Sequence, residues 1–67
     1  MKKIVFVGSG AIGTAIGNVL ARKGMYDVTL LSIEEEVVES INNQRLNITY
    51  FPNVKLSRTL KASSDIN

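Results

Sequence analysis

Three glycines near the start of the chain have a spacing that suits phosphate binding. Gly8, Gly10 and Gly13 form the pattern G-x-G-x-x-G. In such a loop the first glycine allows a sharp turn, the second lets a pyrophosphate approach the backbone, and the third permits close helix packing. Free amides at a helix start, with the positive end of the helix dipole, then hold the anion. We therefore expect Gly8 and Gly13 to frame a set of backbone phosphate contacts, from Ser9, Gly10, Ala11 and Ile12.

This motif requires a strand before it and a helix after it. Residues 4–7, Ile-Val-Phe-Val, form a β-branched and aromatic run, which predicts a strand buried on both faces of a parallel sheet. In residues 11–23 helical spacing separates an apolar arc from a polar stripe, so we expect a two-faced helix that stops at Gly24. The arc contains Ile12, Ile16, Val19 and Leu20, and the stripe contains Thr14, Asn18 and Arg22.

A second strand is predicted at residues 28–31, which completes a βαβ unit of about 30 residues. Such crossovers are right-handed, so this strand should lie parallel beside the first. Side chains that follow it normally contact the adenosine ribose of a dinucleotide. We expect Ser32, Ile33 and Glu34 to face that ribose. A structural alternative stays open, because Ser32 and Glu35 also fit an S-x-x-E capping box.

The remaining residues complete a partial α/β fold. An apolar arc at Val37, Val38 and Ile41 predicts a helix that covers one face of the sheet. Beyond Asn43 the pattern loosens, with a turn at residues 50–53 and a short strand candidate at residues 54–56. We therefore expect the N-terminal portion of a Rossmann-type, doubly wound parallel sheet, β-α-β-α plus a short ribbon, and incomplete.

Composition excludes several kinds of site. The 67 residues include no cysteine and no histidine, so disulfides and thiolate or imidazole metal sites are impossible, and we expect no metal site. The net charge is +2, and the basic residues are spread along the chain without interleaved aromatics, which argues against a nucleic-acid partner. The absence of cysteine is consistent with a cytoplasmic protein.

Two other interpretations of the glycine stretch stay open. The opening Met-Lys-Lys, with no further charge until Arg22, has the charge pattern of a signal peptide, and Gly13 with Gly17 is typical of paired membrane helices. However, the uninterrupted apolar run is only four residues long, and a polar stripe follows it. The glycines could also form a purely structural turn. We favour the phosphate loop, with no membrane span.

The chain resembles the bacterial NAD(P)-dependent glycerol-3-phosphate dehydrogenases over essentially all its residues. The resemblance is carried by MKKIVFVGSGAIGTAIGNVLARKG, by DVTL, and by INNQRLNITYFPNVKLSRTLKASSDIN. The last segment matches that family at Ile41, Asn42, Asn47, Tyr50, Pro52, Val54, Lys55, Leu56 and Asp65. The chain departs from the family pattern after the second glycine, where Ala11 and Ile12 replace a serine and an aromatic residue. It also departs after the second strand, at Leu31, Ser32 and Ile33.

The resemblance implies a reversible hydride transfer between dihydroxyacetone phosphate and sn-glycerol 3-phosphate, with NAD or NADP as cofactor. This reaction supplies the backbone of phospholipids. In that family the reactive lysine and most contacts to the small phosphorylated substrate lie beyond the matched region. The resemblance therefore implies no catalytic residue within these 67 positions.

We expect residues 1–67 to be part of a dinucleotide-binding domain, with the rest of that domain and a helical C-terminal domain absent. Alone the chain should be inactive, and its open sheet edges should be covered in a homodimer or an edge-paired assembly. Two functional alternatives stay open. One is a non-catalytic nucleotide-sensing module, and the other is a related NAD(P)-dependent dehydrogenase with another substrate.

Overall fold

The computed structural model describes residues 2–65, which alternate strands and helices. The elements are β1 (Lys2–Val7), α1 (Ala11–Arg22), β2 (Tyr26–Leu31), α2 (Glu35–Glu39), a π-helical segment (Ser40–Gln44) and β3 (Lys61–Ser63). In this part of the chain, no helix has the length and apolar character needed to cross a bilayer.

The strands of the described residues form one parallel sheet in the order β1-β2-β3. Ile4 lies opposite Val28, and Phe6 lies opposite Leu30. Leu30 in turn lies opposite Ala62. The predicted parallel pairing of the first two strands is confirmed. Since side chains alternate across a strand, these five residues share one face of the sheet.

The helices cover that shared face. Val37 and Ile41 are fully buried and belong to the same core cluster as Val28 and Leu30, so the predicted covering helix is confirmed. The opposite face is open, and 55% of Val5 is exposed. The prediction that the first strand is buried on both faces is therefore wrong for residues 2–65. Successive right-handed crossovers in one direction place their helices on one side, which leaves the other without a layer.

Helix α1 packs on the sheet with the side opposite to its apolar arc. The helix is two-faced as predicted, but Ile12, Ile16 and Val19 are exposed, and only Leu20 of the arc packs against the core. The buried residues of α1 are Thr14, Gly17, Asn18 and Ala21. Small side chains allow a close approach, since a Cβ at Gly17 would lie 3.1 Å from Leu30 Cδ2.

Buried polar groups on α1 are satisfied by hydrogen bonds. The Asn18 side-chain oxygen accepts the backbone N–H of Ser57 at 2.6 Å, and the Thr14 hydroxyl donates to the Ser9 carbonyl at 3.2 Å. Burial of a polar group is costly only when no partner is present. The partner of Asn18 lies 39 positions away, so the helical spacing alone gives no sign that this polar residue is buried.

The connection between the helices and β3 differs from the prediction. Residues 54–56 form no strand, and the expected ribbon is reduced to an isolated bridge between Asn47 and Phe51. The pairing edge of β2 is occupied instead by Lys61–Ser63, a third parallel strand that the sequence did not predict. Lysine, alanine and serine are weak strand formers, so this segment gave little local signal.

Arg45 ends the π-helical segment and fastens the connection to it. Its backbone is left-handed, with φ 60°, and such a conformation is uncommon outside glycine. Its guanidinium donates to the Arg58 carbonyl at 2.7 Å and to the Leu60 carbonyl at 2.8 Å. It also donates to the carbonyl of Ile41. Through these hydrogen bonds Arg45 holds the loop before β3 against the helical layer.

Candidate functional site

An open cleft of about 410 Å³ lies where β1 and β2 end. Open parallel sheets bind ligands at the carboxyl ends of their strands, so this is the expected position for a site. The cleft is lined by Val7, Gly8, Ser9, Gly10, Leu31, Ser32, Ile33, Glu34 and Tyr50. The structure thus brings the start of the glycine loop together with the residues that follow the second strand.

The glycine loop leaves β1 by a turn that depends on Gly8. Gly8 has φ 107°, a conformation that side-chain-bearing residues rarely adopt. Its N–H donates to the Leu31 carbonyl at 2.7 Å and so extends the pairing of β1 and β2. Gly10 is extended, and α1 begins at the next residue. A Cβ at Gly10 would meet no atom within 4 Å, so a ligand can approach this backbone.

The N-terminus of α1 carries uncompensated amide groups. The first helical hydrogen bond runs from the Thr14 N–H to the Gly10 carbonyl, at 2.9 Å. The amides of Ala11, Ile12 and Gly13 precede that bond and have no acceptor within the helix. Among the described residues, no side chain caps this end and no acidic residue lies in its first turn. Such an end fits a bound anion.

The later residues of the glycine motif lie outside the cleft lining. The side chains of Ala11 and Ile12 are exposed, with 78% of Ile12 accessible to solvent. A Cβ at Gly13 would lie 3.8 Å from the Gly8 carbonyl oxygen, which is an ordinary contact. The role of permitting close helix packing was therefore wrongly assigned to Gly13. Gly17, one turn later, is the glycine against which the sheet packs.

Ser32 does not cap the second helix. Its hydroxyl accepts the N–H of Glu34 at 3.1 Å, whereas α2 begins at Glu35 and has no side-chain cap. The capping-box alternative is therefore wrong. The backbone N–H of Ser32 donates to the Ser63 carbonyl at 2.9 Å. This hydrogen bond extends the contact between the β2 and β3 segments by one residue beyond β2. Helix α2 begins three residues after Ser32, at Glu35.

Glu34 and Tyr50 line the cleft together with the start of the glycine loop. The Tyr50 hydroxyl donates to the Glu34 carboxylate at 2.6 Å. This hydrogen bond is the main reason why the pKa of Tyr50 is raised above its ordinary value. Burial and the negative charges of Glu34 and Glu36 raise it further. A carboxylate accepts several hydrogen bonds, so Glu34 retains capacity for ligand hydroxyls. Ile33, beside it, is 91% exposed.

Three cleft residues were missed as site residues by sequence reasoning: Val7, Leu31 and Tyr50. The first two end their strands and were treated only as strand residues. Tyr50 is separated from Glu34 by a helix and a loop, so spacing gave no signal of their contact. Residues 2–65 contain no group of three His, Cys, Asp or Glu side chains placed to hold a metal ion.

Comparison with known proteins identifies the family. A family model described as the N-terminus of NAD-dependent glycerol-3-phosphate dehydrogenase matches residues 3–67. The chain belongs to this family. It is 47% identical over 64 residues to a glycerol-3-phosphate dehydrogenase [NAD(P)+] of Leptospira biflexa, covering 96% of this chain and 19% of the relative. A similarly named protein of Carboxydothermus hydrogenoformans is 42% identical, with the same coverage of 96% and 19%.

A solved structure of the family shares the fold. The crystal structure of glycerol-3-phosphate dehydrogenase from Coxiella burnetii matches with a TM-score of 0.85 and 40% identity, covering 97% of this chain and 20% of that one. The predicted family and the Rossmann-type fold are confirmed. The chain spans about a fifth of the length of the curated relatives that it matches. The names of these relatives specify NAD(P), the cofactor choice predicted from the sequence.

Proposed function

We propose that the chain is the NAD(P)-binding segment of an oxidoreductase that interconverts dihydroxyacetone phosphate and sn-glycerol 3-phosphate. Membership of the dehydrogenase family supports this function. The observation that carries it is the open helix end beside the glycine loop, at the carboxyl edge of the sheet. Residues 1–67 then form part of a dinucleotide-binding domain, and the reactive lysine and substrate contacts belong to other parts of the protein.

The residues present fit a dinucleotide. A pyrophosphate would accept hydrogen bonds from the amides around Gly10, where no side chain blocks the approach. Ser32, Ile33 and Glu34 would lie along the adenosine ribose, with the Glu34 carboxylate available to its hydroxyls. The bound cofactor supplies the hydride that the reaction transfers. The described residues would bind and orient the cofactor. Their backbone amides donate hydrogen bonds to it and exchange no proton in the reaction.

A direct assay tests the proposed reaction. The full-length protein should oxidise NADH or NADPH only when dihydroxyacetone phosphate is added, as followed by the loss of nicotinamide absorbance. Binding of the cofactor without turnover of this ketone would contradict the reaction. A non-catalytic sensing module would then show no turnover with any carbonyl compound, whereas a related dehydrogenase would accept another one.

A further inference from the structure

A single buried side-chain amide outside the glycine motif is hydrogen-bonded to the glycine loop. Asn47 lies in the loop after the helices and is fully buried. Its side-chain Nδ2 donates to the Ser9 carbonyl at 2.7 Å and to the Thr14 hydroxyl oxygen at 2.9 Å. The Thr14 hydroxyl donates in turn to the same Ser9 carbonyl, at 3.2 Å. The turn out of β1 and the first turn of α1 are thereby joined.

The same side chain also orders the opposite wall of the cleft. Its Oδ1 accepts the backbone N–H of Tyr50 at 3.1 Å, and the Asn47 carbonyl accepts the N–H of Phe51 at 2.8 Å. Tyr50 then donates its hydroxyl to Glu34 at 2.6 Å. One residue therefore connects the loop at the phosphate side to the pair at the ribose side.

We propose that Asn47 is a positioning residue that fixes the glycine loop in its anion-binding conformation. The inference rests on the proposed function. An asparagine amide can donate two hydrogen bonds and accept others, and Asn47 uses both capacities. These bonds engage the Ser9 carbonyl, and the next residue, Gly10, lines the cleft. A loop held in its bound conformation loses less entropy when its ligand binds.

Replacement of Asn47 by aspartate tests this role with almost no change in shape. A carboxylate cannot donate to the Ser9 carbonyl and would place negative charge beside its oxygen. We expect the Kd for NADH to rise roughly 10- to 100-fold, the loss typical of a buried hydrogen bond left unmade. At saturating NADH, kcat should stay within a few-fold of the unsubstituted value, because the proposed role of Asn47 is confined to cofactor binding.

Asn42→Asp is the matched control. Asn42 donates to the Ala62 carbonyl at 2.8 Å and accepts the Ala62 N–H at 2.9 Å, so it uses the same chemistry to hold β3. These two hydrogen bonds of the Asn42 side chain go to β3 and not to the glycine loop. We expect this control to lower Tm without changing the Kd for NADH. A general loss of stability would instead weaken binding in both variants and would overturn the assignment.

A second pair of variants keeps the test valid if Asn47→Asp does not fold. Thr14→Val removes the hydroxyl that completes the network, and Thr14→Ser restores it. The valine variant should bind NADH more weakly, and the serine variant should recover most of the affinity. If the unsubstituted protein binds NADH and Thr14→Val binds it equally well, the inference about Asn47 is overturned but the proposed function is not. Failure of the unsubstituted protein to bind NADH or NADPH overturns the proposed function and the inference with it.

Discussion

At the scale of single residues, Glu34 should influence the choice between the two nicotinamide cofactors. Its side chain lines the cleft after β2 and accepts a hydrogen bond from Tyr50, and the proposed function assigns this position to the adenosine ribose. The extra phosphate of NADP would approach this negative charge. Glu34→Gln removes the charge and can still accept the tyrosine hydroxyl. We expect the affinity for NADPH relative to NADH to rise about tenfold, equivalent to roughly 1.4 kcal/mol.

Fluorescence titration of the two reduced cofactors measures this ratio. Glu35→Gln is the control. This substitution removes the same charge from an exposed side chain that is next to Glu34 in sequence but does not line the cleft. Its ratio should change much less, since water and salt screen an exposed charge. If both variants shift the ratio equally, Glu34 acts only through the overall charge of the protein, and its assignment to the ribose side fails.

Local residue chemistry explains why the sequence predicted part of the site. A glycine acts through its own backbone freedom and its missing Cβ, so the turn at Gly8 and the open approach at Gly10 are visible in the motif itself. Asn47 acts on Ser9 from 38 positions away. No periodicity connects such residues, and only the folded chain shows that they meet.

At the scale of elements, the packing of α1 depends on Gly17. A Cβ there would lie 3.1 Å from Leu30 Cδ2 and 3.5 Å from Leu60 Cδ1, and both leucines are fully buried. Gly17→Val should therefore force helix and sheet apart and lower the free energy of unfolding by about 1–3 kcal/mol. Urea denaturation followed by circular dichroism measures this change.

Ala15→Val adds a β-branched side chain to the outer surface of the same helix. This surface also contains Ile16 and Val19, which are both exposed. Its cost should be limited to helix propensity, below about 0.7 kcal/mol. Equal destabilisation by the two variants would mean that Gly17 is not at a close contact.

Elements were predictable where their signal is local. The strand before the glycine loop, the helix after it and the parallel partner strand follow from short runs of residue type. The buried face of α1 was not predictable, because Thr14 and Asn18 become acceptable in the core only through partners in distant loops. The capping-box prediction failed for a similar reason, since a hydrogen bond to Ser63, 31 positions away, ties Ser32 to β3.

At the scale of the whole molecule, residues 2–65 leave apolar surface uncovered. Val5 and Val7 on the open face of β1 are 55% and 91% exposed. β1 is also an edge strand of the described sheet. Exposed edges and apolar faces favour association. We therefore expect residues 1–67, produced alone, to self-associate and to lack dehydrogenase activity.

Sedimentation velocity tests this expectation. Val5→Lys should shift the 67-residue chain towards monomer, because a charged side chain on an open sheet face opposes association. Val54→Lys is the control, since Val54 lies outside the sheet in the connection before β3. A 67-residue chain that is monomeric and active without substitution would contradict this expectation.

The fold class was predictable because it follows from the order of elements, whereas face coverage depends on how many layers the chain supplies.

Calorimetric titration of NADH into the full-length protein and its Gly10→Val variant tests directly whether the glycine loop binds the dinucleotide. We expect the unsubstituted protein to bind NADH and the variant to lose affinity by about 100-fold or more, because valine would occupy the space of the pyrophosphate. Tm should change little, since a Cβ at Gly10 meets no atom within 4 Å. Ala15→Val should bind normally. Equal affinity in Gly10→Val and the unsubstituted protein would contradict the claim that this loop binds the dinucleotide.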